Sequence, residues 1–265
     1  MPFDEASYIF PSHKLRLPLS PSSGRRPVVL VSCGSLNPVH VAHLDMLRAA
    51  KTTLEASGRY AVMGSFLSPV NDAYGKPGLA SFEARLEACR IAVADDPCIE
   101  VDDWEGRQDA YVRTYFVLEH MRTAVAAWLR DMKADVATQD VAVCLVCGGD
   151  LFETFYRPDC WNLKLLRKIL DNFEIAVATR EGSLDPRAVI AAHAAPLTNR
   201  SEPGESLDMA PYASKIIVFD MPPNATSSTA IRGMLSRGHD VPVSMMRIEV
   251  ASYLRASKTY SFLAR

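Results

Sequence analysis

Between Pro27 and Leu47 an apolar run, Val28-Val29-Leu30-Val31, breaks at Gly34-Ser35-Leu36-Asn37-Pro38 and resumes as His40-Val41-Ala42-His43-Leu44. A short β-branched run suits a buried parallel strand, and the residues after the break have helical spacing, so the stretch reads as strand, tight loop, helix. Gly34 permits close backbone approach to a ligand, and Pro38 is placed to begin the helix, where its missing N–H costs nothing. Exposed amides at such a start favour an anion. His40 and His43, three residues apart, share one helix face and reach the same phosphate. A lone Gly-Ser turn is most often only a turn, and a lone histidine near a helix start is most often a cap. The loop, the Asn-Pro step and the histidine pair together make an anion site the better reading.

The rest of the chain alternates strands and helices. Tyr60 to Val70 reads as a second strand, closing at Pro69. Its following loop carries Tyr74 and Lys76, the lysine framed by Gly75 and Pro77 at the carboxyl end of a parallel strand, where open α/β sheets bind ligands. Ser81 to Ala94 has the serine cap of a helix, and Cys98 to Asp103 alternates like a third strand. That strand runs into Trp104, which reads equally as a stacking platform for a flat ring and as a core anchor. Asp109 to Lys133 is a long helix whose apolar positions include Trp128, read as core. Val141 to Cys147 is a central parallel strand ending in Gly148-Gly149-Asp150, where the glycines admit a base or ribose and Asp150 either accepts a ribose hydroxyl or caps the next helix. Phe173 to Thr179 is a further strand, with Arg180 at its end placed to meet a phosphate bidentately. Leu197 to Pro211 has no periodicity and reads as a mobile loop or an insertion. After a last strand, Lys215 to Phe219, Asn224 to Arg232 opens a helix capped by hydroxyls, with Arg232 on the same face as Thr229. Val241 to Leu254 is expected to be a final amphipathic helix.

A chain of 265 residues with 48% hydrophobic and 23% charged residues supports one substantial α/β core. Residues 27–265 are therefore taken as one domain, preceded by a Pro- and Ser-rich extended arm, 1–26, that is neither a signal peptide nor a membrane span. A net charge of −2 without a basic cluster argues against nucleic-acid or membrane partners. The six cysteines sit mostly inside apolar runs, which suits a reducing compartment, here the cytoplasm with the nucleus left open. Cys144 and Cys147 have a metal-pair spacing, but strand alternation points them to opposite faces, so no protein metal site is expected.

Two motifs carry a resemblance. Gly34-Ser-Leu-Asn-Pro-Val-His40-Val-Ala-His43 and Ser227-Ser228-Thr229-Ala-Ile-Arg232 resemble the two signatures of the nucleotidyltransferase superfamily. Ser68 to Leu79, Val-Asp-Asp-Trp104-Glu105, and Gly148 to Phe155 with Trp161 resemble the eukaryotic-type nicotinamide mononucleotide adenylyltransferases. The resemblance implies a single Rossmann-like, doubly wound, mostly parallel sheet with helices on both faces. It implies transfer of AMP from ATP to nicotinamide mononucleotide, or its acid analogue, giving NAD and pyrophosphate. It places Gly34, Ser35, His40, His43, Gly148, Asp150, Asn224, Ser228, Thr229 and Arg232 around ATP, with Mg2+ held mainly through ATP phosphates. It places Ser35, Leu36, Tyr74, Lys76, Trp104, Trp161 and Arg180 around the mononucleotide, the two tryptophans clamping the pyridine ring, and makes His43, Lys76 and Arg232 the catalytic groups. Leu36 stands where an aromatic residue is usual, His40 matches a two-histidine form less common in eukaryotic-type members, and Gly75 replaces a second lysine. A sister enzyme with another phosphate acceptor, or a nucleotide-binding module without catalysis, are the alternatives, and a homo-oligomer is left open.

Overall fold

A computed structural model describes residues 5–17, 24–134, 140–179, 185–193, 195–221, 224 and 226–261. The chain runs β1 (Arg26–Gly34), α1 (Val41–Ala56), β2 (Tyr60–Pro69), α2 (Phe82–Val93), β3 (Ile99–Val101), α3 (Trp104–Arg107), α4 (Thr114–Asp131), β4 (Ala142–Gly148) and α5 (Gly149–Glu153). It continues through α6 (Leu163–Asn172), β5 (Glu174–Ala178), α7 (Pro186–Ala192), β6 (Leu197–Thr198), β7 (Ser206–Leu207), β8 (Ile216–Phe219), α8 (Ser228–Ser236) and α9 (Ile248–Ala256). Six strands pair in the order β3-β2-β1-β4-β5-β8, every pairing parallel.

Strand alternation builds a core on each face. Val28 and Leu30 of β1, Cys144 of β4 and Ala176 of β5 pack with α1, α2, α8 and α9, while Val29, Val31, Cys147 and Val177 pack with α4 and α6. Cys144 and Cys147 thus fall in opposite layers. Because β1 and β4 are neighbours and successive strands leave them in opposite directions, their carboxyl ends frame the crevice in which open α/β sheets hold ligands.

Several elements differ from their expected extent. The first helix begins at Val41, not Pro38: His40 is its N-cap, with extended φ −150° and ψ 172°, which excludes the Pro38 to His40 stretch from the helix. The long fourth helix begins at Thr114 rather than Asp109, since Arg113 is extended and the Asn71 carboxamide donates to the carbonyls of Gly106 and Gln108, holding the chain in a turn. Trp128 is half-buried against the core rather than within it. The last helix begins at Ile248, because the Pro242 carbonyl closes a turn with the amides of Met245 and Met246 and Arg247, at φ −59° and ψ 141°, is not helical. The 197–211 loop is organised: β6 and β7 form an antiparallel hairpin, and Leu207 and Met209 are buried in the core. Along the arm, the Arg16 amide donates to Met63 O and Lys14 Nζ to the carbonyls of Val93 and Ile99.

Candidate active site

A cavity of about 730 Å³ opens at the β1/β4 crevice, large enough for a nucleotide. One wall is the loop after β1. Leu36 takes a left-handed φ of 42° and is almost wholly buried, so an aliphatic residue fills the place where an aromatic one is usual. Asn37 is buried and bonded at both ends of its carboxamide: its Nδ2 donates to Gly78 O (2.8 Å), and its Oδ1 accepts from the Ala80 amide (3.1 Å) and the Tyr260 hydroxyl (2.8 Å).

The two histidines come together as expected, although one caps the helix and the other lies inside it. Their rings stack with centroids 3.8 Å apart, and the His40 amide donates to His43 Nδ1 at 3.1 Å, as an N3 side chain does in a capping box. With Nδ1 accepting, the neutral ring of His43 carries its proton on Nε2, which makes that atom the donor.

The start of α8 adjoins that wall. Ser227 caps it by accepting from the Ala230 amide (3.2 Å), Ser228 Oγ donates to Pro38 O (3.0 Å), and Arg232 donates to Asn37 O (2.8 Å) and Thr229 Oγ1 (3.2 Å). The two motifs, nearly two hundred residues apart, are therefore hydrogen-bonded to each other. Asn224 is also on the cavity and accepts from the Thr226 amide. Across the crevice lie Gly148 at the end of β4 and the exposed Asp150 in α5.

Lys76 is exposed on the rim. Gly75 before it has φ +65°, a left-handed conformation that a lysine would adopt only under strain. Tyr74 pairs with Tyr111, ring centroids 5.5 Å apart, and both line the cavity. Trp161 lines it too, its indole Nε1 donating to Thr154 Oγ1 (2.8 Å) and its ring edge-on to Phe155.

Trp104 is placed elsewhere. Its backbone amide donates to Asp102 Oδ1 (3.1 Å), starting α3, and its ring lies flat on His120 of α4 at 4.1 Å, outside the cavity lining. Of the two tryptophans, Trp161 is the one that lines the cavity. Arg180 lies outside the described residues. Tyr111 does not stand out in the sequence, where the helical pattern that follows absorbs it; an aromatic residue in the loop after a strand's carboxyl end is the available signal.

Glu105, which the sequence does not mark as a site residue either, is a cavity carboxyl that is almost wholly buried and accepts from Ser68 Oγ at 2.6 Å. Burial raises its pKa from 4.5 to about 8; the Ser68 bond works against that shift and nearby Asp102 adds to it. The unfolded chain gives up this proton near 4.5 and the folded one only near 8, so this group's contribution to stability falls as pH rises across that window. Glu105→Gln is neutral throughout and can still accept from Ser68. Its melting temperature relative to wild type should therefore climb between pH 5 and pH 8, and a constant difference would show Glu105 ionised in the fold.

Among the described residues no group of three or more His, Cys, Asp or Glu side chains is placed to hold a metal ion.

The parallel sheet, the switch-point cavity and two helix starts bearing histidine and arginine define a nucleotidyltransferase-type site. A model of the cytidylyltransferase-like family matches residues 31–234. The nicotinamide/nicotinic acid mononucleotide adenylyltransferase of Arabidopsis thaliana is 34% identical, over 89% of this chain and 91% of its own. The enzyme of the same name from Oryza sativa subsp. japonica is 38% identical, over 68% of this chain and 70% of its own. The chain belongs to the cytidylyltransferase-like family and, within it, to the nicotinamide/nicotinic acid mononucleotide adenylyltransferases. The solved structure of Plasmodium falciparum nicotinic acid mononucleotide adenylyltransferase complexed with NaAD shares the fold, with a TM-score of 0.61 at 14% identity over 90% of this chain and 100% of that one.

Proposed function

We propose that this protein transfers AMP from ATP to nicotinamide mononucleotide or its acid analogue, releasing pyrophosphate. One observation carries the reading: a single cavity is lined by the joined histidine and Ser-Thr-Arg motifs and also by Trp161 and Tyr111. The first pair of features suits a triphosphate, the second a flat ring. A phosphate oxygen of the mononucleotide attacks the α-phosphorus of ATP, the bond to the β-phosphate bridging oxygen breaks, and pyrophosphate leaves. No protein nucleophile is required, so the chain's contribution is alignment and stabilisation of the charge that develops on the phosphates. His43 Nε2, Arg232 and the α8 amides meet the triphosphate beside His40, Ser228 and Thr229, and Lys76 meets the reacting phosphates as a point charge. Gly148, Asp150 and Asn224 border the nucleoside of ATP, while Ser35, Leu36 and Tyr74 border the mononucleotide. Mg2+ would be held through ATP phosphates and would neutralise part of their charge.

The test is ATP and magnesium with each mononucleotide, scored for the dinucleotide and pyrophosphate. Turnover confined to a different phosphate acceptor would move the chain to a sister activity.

The aromatic wall sharpens the reading. We place the pyridine ring against Trp161, which lines the cavity together with Tyr111, whereas Trp104 stacks on His120. Because stacking is worth about 1–3 kcal/mol per base, Trp161→Ala should raise the mononucleotide KM about tenfold and leave the ATP KM nearly unchanged. Equal rises for both substrates would make Trp161 a packing residue.

A further inference from the structure

Trp161 sits in a short irregular segment between α5 and α6, and such a segment has no ladder of its own to fix it. Its backbone is held from outside by the β6–β7 hairpin. The Asn199 carboxamide grips it at two points, Oδ1 accepting from the Asp159 amide (2.7 Å) and Nδ2 donating to Trp161 O (2.6 Å). Nδ2 also donates to Glu202 Oε2 (2.8 Å), which accepts from the Leu163 amide (2.9 Å), while Glu202 Oε1 accepts from Asn162 Nδ2 (2.6 Å). Asp159, in a left-handed φ of 61°, has its carboxylate bonded to the amide and hydroxyl of Ser201.

The hairpin is itself anchored. Leu207 is fully buried, Arg167 of α6 donates to Ser206 O (2.6 Å), and Lys164 pairs with Glu205. Asn199 is buried, yet neither it nor Glu202 lines the cavity. Any influence on a ligand must pass through the tryptophan segment.

We propose that the hairpin is a clasp that sets the position of Trp161, making Asn199 a positioning residue for the mononucleotide's ring. This rests on the proposed function for its kinetic consequence and on geometry alone for its structural one. The indole is fixed at its nitrogen by Thr154 and at its backbone by Asn199, from two different elements, and removing the second hold lets the ring plane drift. The Trp161 carbonyl and Asp159 amide left behind must also find new partners.

Losing Trp161 altogether sets the ceiling, about tenfold, so Asn199→Ala should raise the mononucleotide KM about three- to tenfold, with kcat and the ATP KM within about twofold. Asn199→Asp keeps the acceptor for Asp159 but sets a carboxylate oxygen against Trp161 O and Glu202, and should be no better than alanine. In a Trp161→Ala background Asn199→Ala should add almost nothing, because the pair acts through one ring.

A second measurement needs no turnover. Of the three tryptophans, Trp104→Phe and Trp128→Phe leave Trp161 as the sole tryptophan, which is excited selectively over tyrosine at the red edge of the absorption band. Asn199→Ala in that chain should raise acrylamide quenching about twofold without substrate. If the dinucleotide reaction fails, this arm still decides the clasp, and if Asn199→Ala does not fold, Glu202→Gln should shift both readouts in the same direction by less. Unchanged quenching, equal rises in both KM values, or additive losses in the double variant would each overturn the proposal.

Discussion

His43→Ala is expected to lower turnover about a hundredfold or more while leaving the protein folded. His43 Nε2 is the donor of a ring whose Nδ1 is already occupied by the His40 amide, so the loss removes a group directed at charge that grows in the transition state. The same substitution also strips the N-cap amide of its acceptor, at a cost of about 1 kcal/mol, equivalent to about 2–4 °C in melting temperature. The two effects separate cleanly. Asparagine places an acceptor where Nδ1 was and has nothing at Nε2, so His43→Asn should recover the melting temperature and not the turnover. His40→Ala should be milder in turnover than His43→Ala. Steady-state kinetics and thermal melts on the three variants check this; near-normal turnover in folded His43→Ala would remove His43 from the chemistry.

Most of that site is legible in the amino-acid sequence because its parts are local. Strand, glycine turn and histidine spacing lie within one short stretch, and the Ser-Ser-Thr caps with Arg232 lie within another, so pattern and propensity suffice. What escapes depends on contacts between distant stretches. Trp104 reads by its position after a strand equally as a stacking platform and as a core anchor, and its contacts with Asp102 and the His120 ring come from residues that the local pattern does not relate to it. Tyr111 reads as helical because the residues after it are, and the Asn71 carboxamide that breaks the helix belongs to another loop. The 197–211 segment has no periodicity to read, since its order comes from bonds to residues about forty positions earlier. Helix boundaries move for the same kind of reason at Thr114 and Ile248, where non-helical residues precede the first helical turn.

Arg85 is hidden in a different way, and it carries the largest expected effect on stability. It stands on the apolar stripe of α2, three residues after buried Phe82 and four before buried Cys89, where a charged residue reads as an irregularity in the pattern. Its side chain is wholly buried. The guanidinium donates to Ala80 O (2.8 Å), Ser35 O (2.9 Å), Val70 O (2.7 Å) and Asp72 Oδ1 (2.8 Å), so one planar fork ties the phosphate loop to both ends of the Lys76 loop. Arg85→Ala would leave three carbonyls without their donor and open a void beneath the site. Removing one partner from such a buried charged network costs about 3–5 kcal/mol, which for a domain of this size lowers the melting temperature by about 10 °C. Lysine cannot reproduce the fork, so Arg85→Lys should recover only a minor part. At temperatures where Arg85→Ala remains folded, both KM values should rise together, because the loops that face ATP and the mononucleotide loosen at once. Denaturant melts with kinetics on both variants decide the matter: a loss below about 1 kcal/mol would show that the loops hold their shape without Arg85, and a rise in only one KM would confine its reach to one loop.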